Sequence, residues 1–218
     1  MPKGRSSTTF RGWGDSMLTA AQLTTLKADI AANTNTIPAG QPWSGSFAGT
    51  QIKNVPGTGD GNAAVAGWYN LATSPAYIVW RDLPIETVLN TITYANMTPL
   101  DAVPTDTALN TSIWQARALS CQGKQFNLQN LTIGRSTAPM KRTNFRAAMQ
   151  DCLTNLPAGA GGSTIAANWV GVRDAAKFTA ANIEKLFATG TGTSGSPADL
   201  TFEGSITGDD VDQARNSA

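Results

Sequence analysis

The spacing of apolar residues along the chain predicts helices joined by long irregular connections. Leu23, Leu26 and Ile30 fall on one helical stripe that ends near Ala32. Thr19 and Gln22 stand at capping-box spacing: the threonine hydroxyl accepts the amide three residues on, and the glutamine returns to the cap amide. Leu18 and Leu23 flank that cap as a hydrophobic staple. Further stripes predict a short helix over Asn62–Asn70 with Val65, Trp68 and Tyr69, and a helix from Pro84 carrying Ile85, Val88, Leu89 and Ile92. Between them, Ser74-Pro75 opens a predicted turn through Tyr77, Ile78, Val79 and Trp80. Asp106 caps a predicted helix with Leu109, Ile113, Ala116 and Leu119 or Ser120 in register. Phe126–Ile133 alternates apolar and polar positions, which fits either a strand or the start of a helix. Thr143–Leu156 sets Phe145, Met149, Cys152 and Leu153 on one face. The longest predicted helix spans Thr164–Ala188, because Trp169, Val172, Ala176, Ala180, Ile183 and Phe187 recur at three- and four-residue steps. Gly190 follows where a terminating residue of positive φ belongs, and Leu200–Thr207 alternates like a strand.

The connections are as informative as the helices. Asn33–Gly61 is broken by Ile37-Pro, Gln41-Pro and Val55-Pro-Gly, yet it carries Trp43, Phe47, Ile52 and Val55. A loop of that length with that much apolar matter is expected to make contacts. Thr189–Ser196 is a Gly/Thr/Ser run that reads as a flexible hinge. The expected organisation is a flexible N-terminal arm at residues 1–16, a helical body at 17–189 with an insertion loop at 33–61, and an extended C-terminal arm at 190–218 with a short β segment. The expected fold class is therefore mainly α, a helical bundle with appended arms. No period of twenty to fifty residues repeats, which argues against a solenoid.

Composition narrows the function. Charged residues make up 14% of the chain, well below the globular average, so much of the surface is neutral or covered by partners. The net charge of +1 gives no global attraction to nucleic acid or membrane. Histidine is absent, which removes the commonest general base, the commonest metal ligand and every Ser-His or Cys-His nucleophile pair. Cys121 and Cys152 are too few for a cysteine zinc site and are expected as small buried side chains. Gly190–Ser196 lacks the lysine of a phosphate loop and follows a predicted helix C-terminus, whose carbonyls repel anions. No paired carboxylates or calcium loop stand out. Catalytic residues, cofactor and metal are all expected to be absent. No apolar run approaches membrane length, and Met1–Ser16 lacks the apolar core of a signal peptide, so synthesis in the cytoplasm is expected.

Two groups of residues point to partners. Trp13, Trp43 and Phe47 lie in irregular, Gly/Pro-rich sequence, where aromatics serve as interface anchors; Leu200, Phe202 and Ile206 line one side of the predicted C-terminal strand. Arg135, Lys141, Arg142 and Arg146 form a basic patch with no acid between residues 135 and 146. Cations at a helix start oppose its dipole, which favours an acidic partner or nucleic-acid phosphates.

The segment Ile183–Thr207, the stretch Leu18–Ile30 and Ala76-Tyr-Ile-Val-Trp-Arg81 resemble a family of small tailed-bacteriophage virion structural proteins, of the head–tail adaptor (connector or neck) type. Met1–Ser16 and the long Asn33–Gly61 insertion depart from that pattern. The resemblance implies a homo-oligomeric ring of helical subunits that joins the portal to tail or nozzle proteins. Each subunit would have an extended arm reaching a neighbour, the patch near DNA, and no membrane partner. It implies location in the virion after assembly in the host bacterial cytoplasm. A capsid- or tail-associated position, a virion-associated hydrolase and a nucleic-acid-binding factor are the alternatives.

Overall fold

The chain is mainly α-helical and forms two units, one made of Met1–Pro75, Ala180–Ala188 and Thr201–Ala218, the other of Ala76–Thr179 and Thr189–Leu200. The structure, a computed structural model, describes residues 18–94, 111–154 and 162–217, without the side chains of 111–118 and 162–167. The chain therefore leaves the first unit after Pro75 and returns to it twice, which replaces the expected division into a 17–189 body and a 190–218 arm. The expected N-terminal arm, 1–16, lies outside the described residues.

In the first unit, α1 (Ala20–Ala32) starts at the predicted capping box. Gln22 N donates to Thr19 Oγ1 at 3.3 Å, and Thr19 N donates to Gln22 Oε1 at 2.9 Å. Leu26 and Ile30 face the core, and Leu18 is buried beside them. The 33–61 segment contributes to that same core. Thr36 and Gln51 form an antiparallel bridge, Ile52 N donates to Asn35 O at 2.8 Å, and Ile37, Ile52 and Val55 are buried. Short 3-10 turns at Gly45–Phe47 and Ile52–Asn54 fold the segment back. Next, α2 (Gly59–Tyr69) is capped by Thr58, whose hydroxyl accepts from Gly61 N at 3.2 Å. Trp43 lies against Gly67 of α2 so closely that a Cβ there would come within 2.2 Å of the indole. Glycine in mid-helix costs helix propensity, and here it makes room for the ring.

The returning segments complete this core. In α7 (Asn182–Phe187), Ile183 and Phe187 are buried; Phe202 and Ile206 follow, then Val211 and Ala214 of α8 (Gly208–Asn216). Phe187 and Phe202 meet edge to face at 5.7 Å. Leu200–Thr207 forms no strand among the described residues. Its backbone is satisfied by a side chain instead: Ile206 N donates to Asn70 Oδ1 at 2.9 Å, and Asn70 Nδ2 donates to Ile206 O at 2.8 Å. The expected extended arm is thus a correction. Residues 201–217 carry apolar side chains that a lone arm would leave in water, and the first unit buries them.

The second unit holds two small antiparallel sheets and four helices among the described residues. β1 (Ile78–Trp80) pairs with β4 (Lys177–Thr179) in the register Ile78↔Thr179, Val79↔Phe178, Trp80↔Lys177. β2 (Leu83–Pro84) pairs with β3 (Thr137–Ala138). Val88 of α3 (Ile85–Thr91), Leu128 of α4 (Thr111–Thr132), Met149 and Leu153 of α5 (Thr143–Leu153), and Val172 of α6 (Gly162–Ala175) share one core. Phe126–Thr132 belongs to α4, which settles the alternation as helical; Asp106 and Leu109 lie outside the described residues. Cys121 and Cys152 are buried free thiols.

Two further expectations are corrected here. The turn expected at Tyr77–Trp80 is a strand, and the long helix expected over Thr164–Ala188 is split by β4 into α6 and α7. Its stripe is buried throughout but serves two cores, Trp169, Val172 and Ala176 the second, Ile183 and Phe187 the first. A three-residue strand leaves the three- and four-residue rhythm intact, so periodicity alone does not reveal the break. The Gly/Thr run is no hinge either. Thr193 and Ser196 exchange backbone hydrogen bonds of 3.1 Å, and Ile78 N donates to Gly192 O at 2.7 Å. Gly192 has φ +64°, and a Cβ there would come within 2.2 Å of the Tyr77 ring, so only glycine fits.

Candidate interaction surfaces

The basic patch is acid-free in sequence but not in space. Lys141 faces Asp82, with Nζ 3.8 Å from Oδ2, while its backbone N donates to Asp82 Oδ1 at 2.9 Å. Arg146 lies 3.5 Å from Asp199 Oδ1. Its guanidinium also covers Trp80 at 4.5 Å from the ring centroid and donates to the carbonyls of Met140 and Lys141 at 2.7 and 2.8 Å. These bonds close the chain end that precedes α5. Arg135 and Arg142 remain exposed. The expected four-residue patch is therefore two exposed arginines beside two cations that face carboxylates.

The expected anchors divide in the same way. Phe202 and Ile206 are core residues, a correction forced by their burial, and Leu200 is half-buried. Trp43 and Phe47 pack against the first core but keep a rim on a pocket of about 220 Å³, with Asp60 at its edge. Trp13 lies outside the described residues.

Sequence reasoning missed the clearest apolar surface. On α4 and the turn that follows it, Leu119, Phe126 and Ile133 are 73%, 62% and 65% exposed. They recur every seventh residue, two helical turns apart, and so line one face. The residues between them on the exposed side, Gln122, Gly123, Asn127, Gln129 and Asn130, carry no charge. Lys124 is turned to Asp151 at 2.6 Å. The opposite face, with Cys121 and Leu128, fills the core. The sequence carries the exposed face as a heptad-spaced row, but the alternation of 126–133 fits a strand as well as a helix.

The first unit also holds a buried polar cluster. Tyr69, 1% exposed, donates its phenol proton to Asp29 Oδ2 in a short hydrogen bond, and Asn33 Nδ2 donates to the same oxygen at 3.0 Å. Burial, then the hydrogen bond to Asp29 and its charge, push the Tyr69 phenol well above the ordinary tyrosine range. The folded protein keeps this proton where the unfolded chain, with an ordinary pKa near ~10, loses it. Stability present below that pH is therefore lost as pH rises above it, by about 1.4 kcal/mol per pH unit. Tyr69→Phe should remove this part of the alkaline slope while costing about 1–2 kcal/mol at neutral pH, because Asp29 loses its buried phenol donor and keeps only Asn33. Urea midpoints of both proteins between neutral and alkaline pH test this; parallel curves would exclude Tyr69 as the cause.

Among the described residues no group of three or more His, Cys, Asp or Glu is placed to hold a metal ion, and no helix is long and apolar enough to cross a membrane. No protein-family model matches the chain, and no curated protein or solved structure matches it.

Proposed function

We propose that this protein is a non-catalytic assembly subunit of a tailed-phage virion, of the head–tail adaptor type, which forms a homo-oligomeric ring between portal and tail. The observation that carries the assembly reading is the exposed row of Leu119 and Phe126 on α4 and Ile133 just after it. Fully burying such side chains is worth roughly 1.5–3 kcal/mol each, which gives association a driving force. An uncharged border brings no charge that the facing surface of a neighbouring copy would have to match. Ring closure requires a heterologous contact, so the α4 face of one copy meets a different face of the next. The virion placement rests on the resemblance of Leu18–Ile30, Ala76–Arg81 and Ile183–Thr207 to adaptor proteins. Two exposed arginines, Arg135 and Arg142, are available to an acidic subunit or to DNA passing through such a ring.

Light scattering of the purified protein, alone and with the portal protein of the same phage, tests this. The expected result is an oligomer of more than two copies that binds the portal. Leu119→Asp with Phe126→Asp should reduce it to a monomer whose circular dichroism is that of the wild type, because neither residue is in the core. A wild-type monomer that ignores the portal, or an oligomer indifferent to the double substitution, would refute the reading.

A further inference from the structure

Beside the buried cluster of the first unit lies a cleft of about 410 Å³, within the size range of small-ligand sites. The direction of each hydrogen bond around it is fixed from the inside outward. An ionised carboxylate only accepts, so the Asn33 amide must turn its nitrogen to Asp29. Asn33 Oδ1 then accepts from Asn35 N at 3.0 Å and Asn35 Nδ2 at 2.8 Å, which leaves Asn35 Oδ1 on the outside. Asn182 Nδ2 is turned to the Trp68 carbonyl at 3.0 Å, which leaves Asn182 Oδ1 likewise. Asp29 Oδ2 takes both inner bonds, so Oδ1 is its remaining acceptor. Three acceptor oxygens on residues of one cleft thus lack a donor among the described residues.

We propose that this cleft binds a neutral sugar ring. An anionic ligand would meet Asp29 and an excess of acceptors. A cationic ligand would meet Lys185, which lines the same cleft. A polyol avoids both penalties: its hydroxyls donate to Asp29, Asn35 and Asn182 and accept from the Lys185 ammonium. Trp68 and Leu186 supply the apolar wall that the C–H face of a pyranose needs. The proposal is independent of the assembly reading, since none of these residues is on α4.

The test is an NMR titration of the full-length protein with glucose, galactose, mannose and N-acetylglucosamine, and separately with arginine hydrochloride. At least one sugar should shift the Trp68 indole and the Asn35 and Asn182 side-chain amides saturably, with Kd on the order of 1–10 mM. Asn35→Ala and Asn182→Ala should each weaken that binding about tenfold while circular dichroism shows the wild-type fold. The proposal is overturned if no sugar gives a saturable shift, if arginine does so in their place, or if both variants bind as the wild type does.

Discussion

Ending the chain at Leu200 will unfold the first unit while the second keeps its structure. The deleted residues include Phe202, Ile206 and Val211, which are 8%, 3% and 0% exposed. At roughly 1.5–3 kcal/mol for each buried side chain, their loss removes about 5–9 kcal/mol, comparable with the whole stability of a small domain. Polar groups are stranded as well. The Asn70 amide loses both bonds to Ile206, and buried Glu184, which accepts from Ala181 N at 2.9 Å, loses its contact with Gly204 N. Circular dichroism should lose the contribution of α1, α2 and α7 as well as that of α8. Limited proteolysis should cut within 18–75 and spare α3, α5 and the strands of the second unit. Ile206→Asp should reproduce much of the effect without shortening the chain. If residues 190–218 were a docking arm, truncation would instead leave the melt and the protease pattern of residues 18–75 unchanged.

That contrast shows what local pattern carries and what it omits. The α1 capping box, the stripe of α5 and the burial of both cysteines were legible because each depends on neighbours within about one or two helical turns. The fate of 201–217 depends on Asn70, Leu26 and Tyr69, more than a hundred residues away, and alternation in 200–207 gave no hint of those partners. One local signal was available: Thr207 and Asp210 form a second capping box, with Thr207 N donating to Asp210 Oδ2 at 2.8 Å. Read that way, α8 is predictable at the end of what was expected to be an extended arm. The strand Lys177–Thr179 was hidden for a different reason, since its pairing with Ile78–Trp80 is a tertiary choice laid over a helical rhythm. Among the candidate sites, the basic patch looked acid-free because Asp82 and Asp199 arrive from distant segments. The cleft asparagines gave no sequence signal, because isolated Asn residues at 33, 35 and 182 look like ordinary caps and loop residues.

Arg146→Ala is expected to cost the second unit about 2–4 kcal/mol, far more than neutralising either exposed arginine of the same patch. The ion pair is the smaller part of this, because Asp199 is 53% exposed and water screens the 3.5 Å contact. The larger part is the fork. One guanidinium satisfies the carbonyls of Met140 and Lys141, reaches Thr143 Oγ1 at 3.0 Å and seals the face of Trp80, which is only 8% exposed. Alanine strands two carbonyls and opens the indole to water. Arg146→Lys should recover little, because an ammonium cannot hold that planar geometry across an aromatic face. Arg135→Gln and Arg142→Gln should each shift stability by no more than about 0.5 kcal/mol, so they isolate any role in binding DNA or an acidic subunit. Urea unfolding followed by tryptophan fluorescence separates the outcomes. A wild-type midpoint for Arg146→Ala would return Arg146 to the binding patch, whereas a lowered midpoint that lysine does not restore assigns it to the fold and leaves recognition to Arg135 and Arg142.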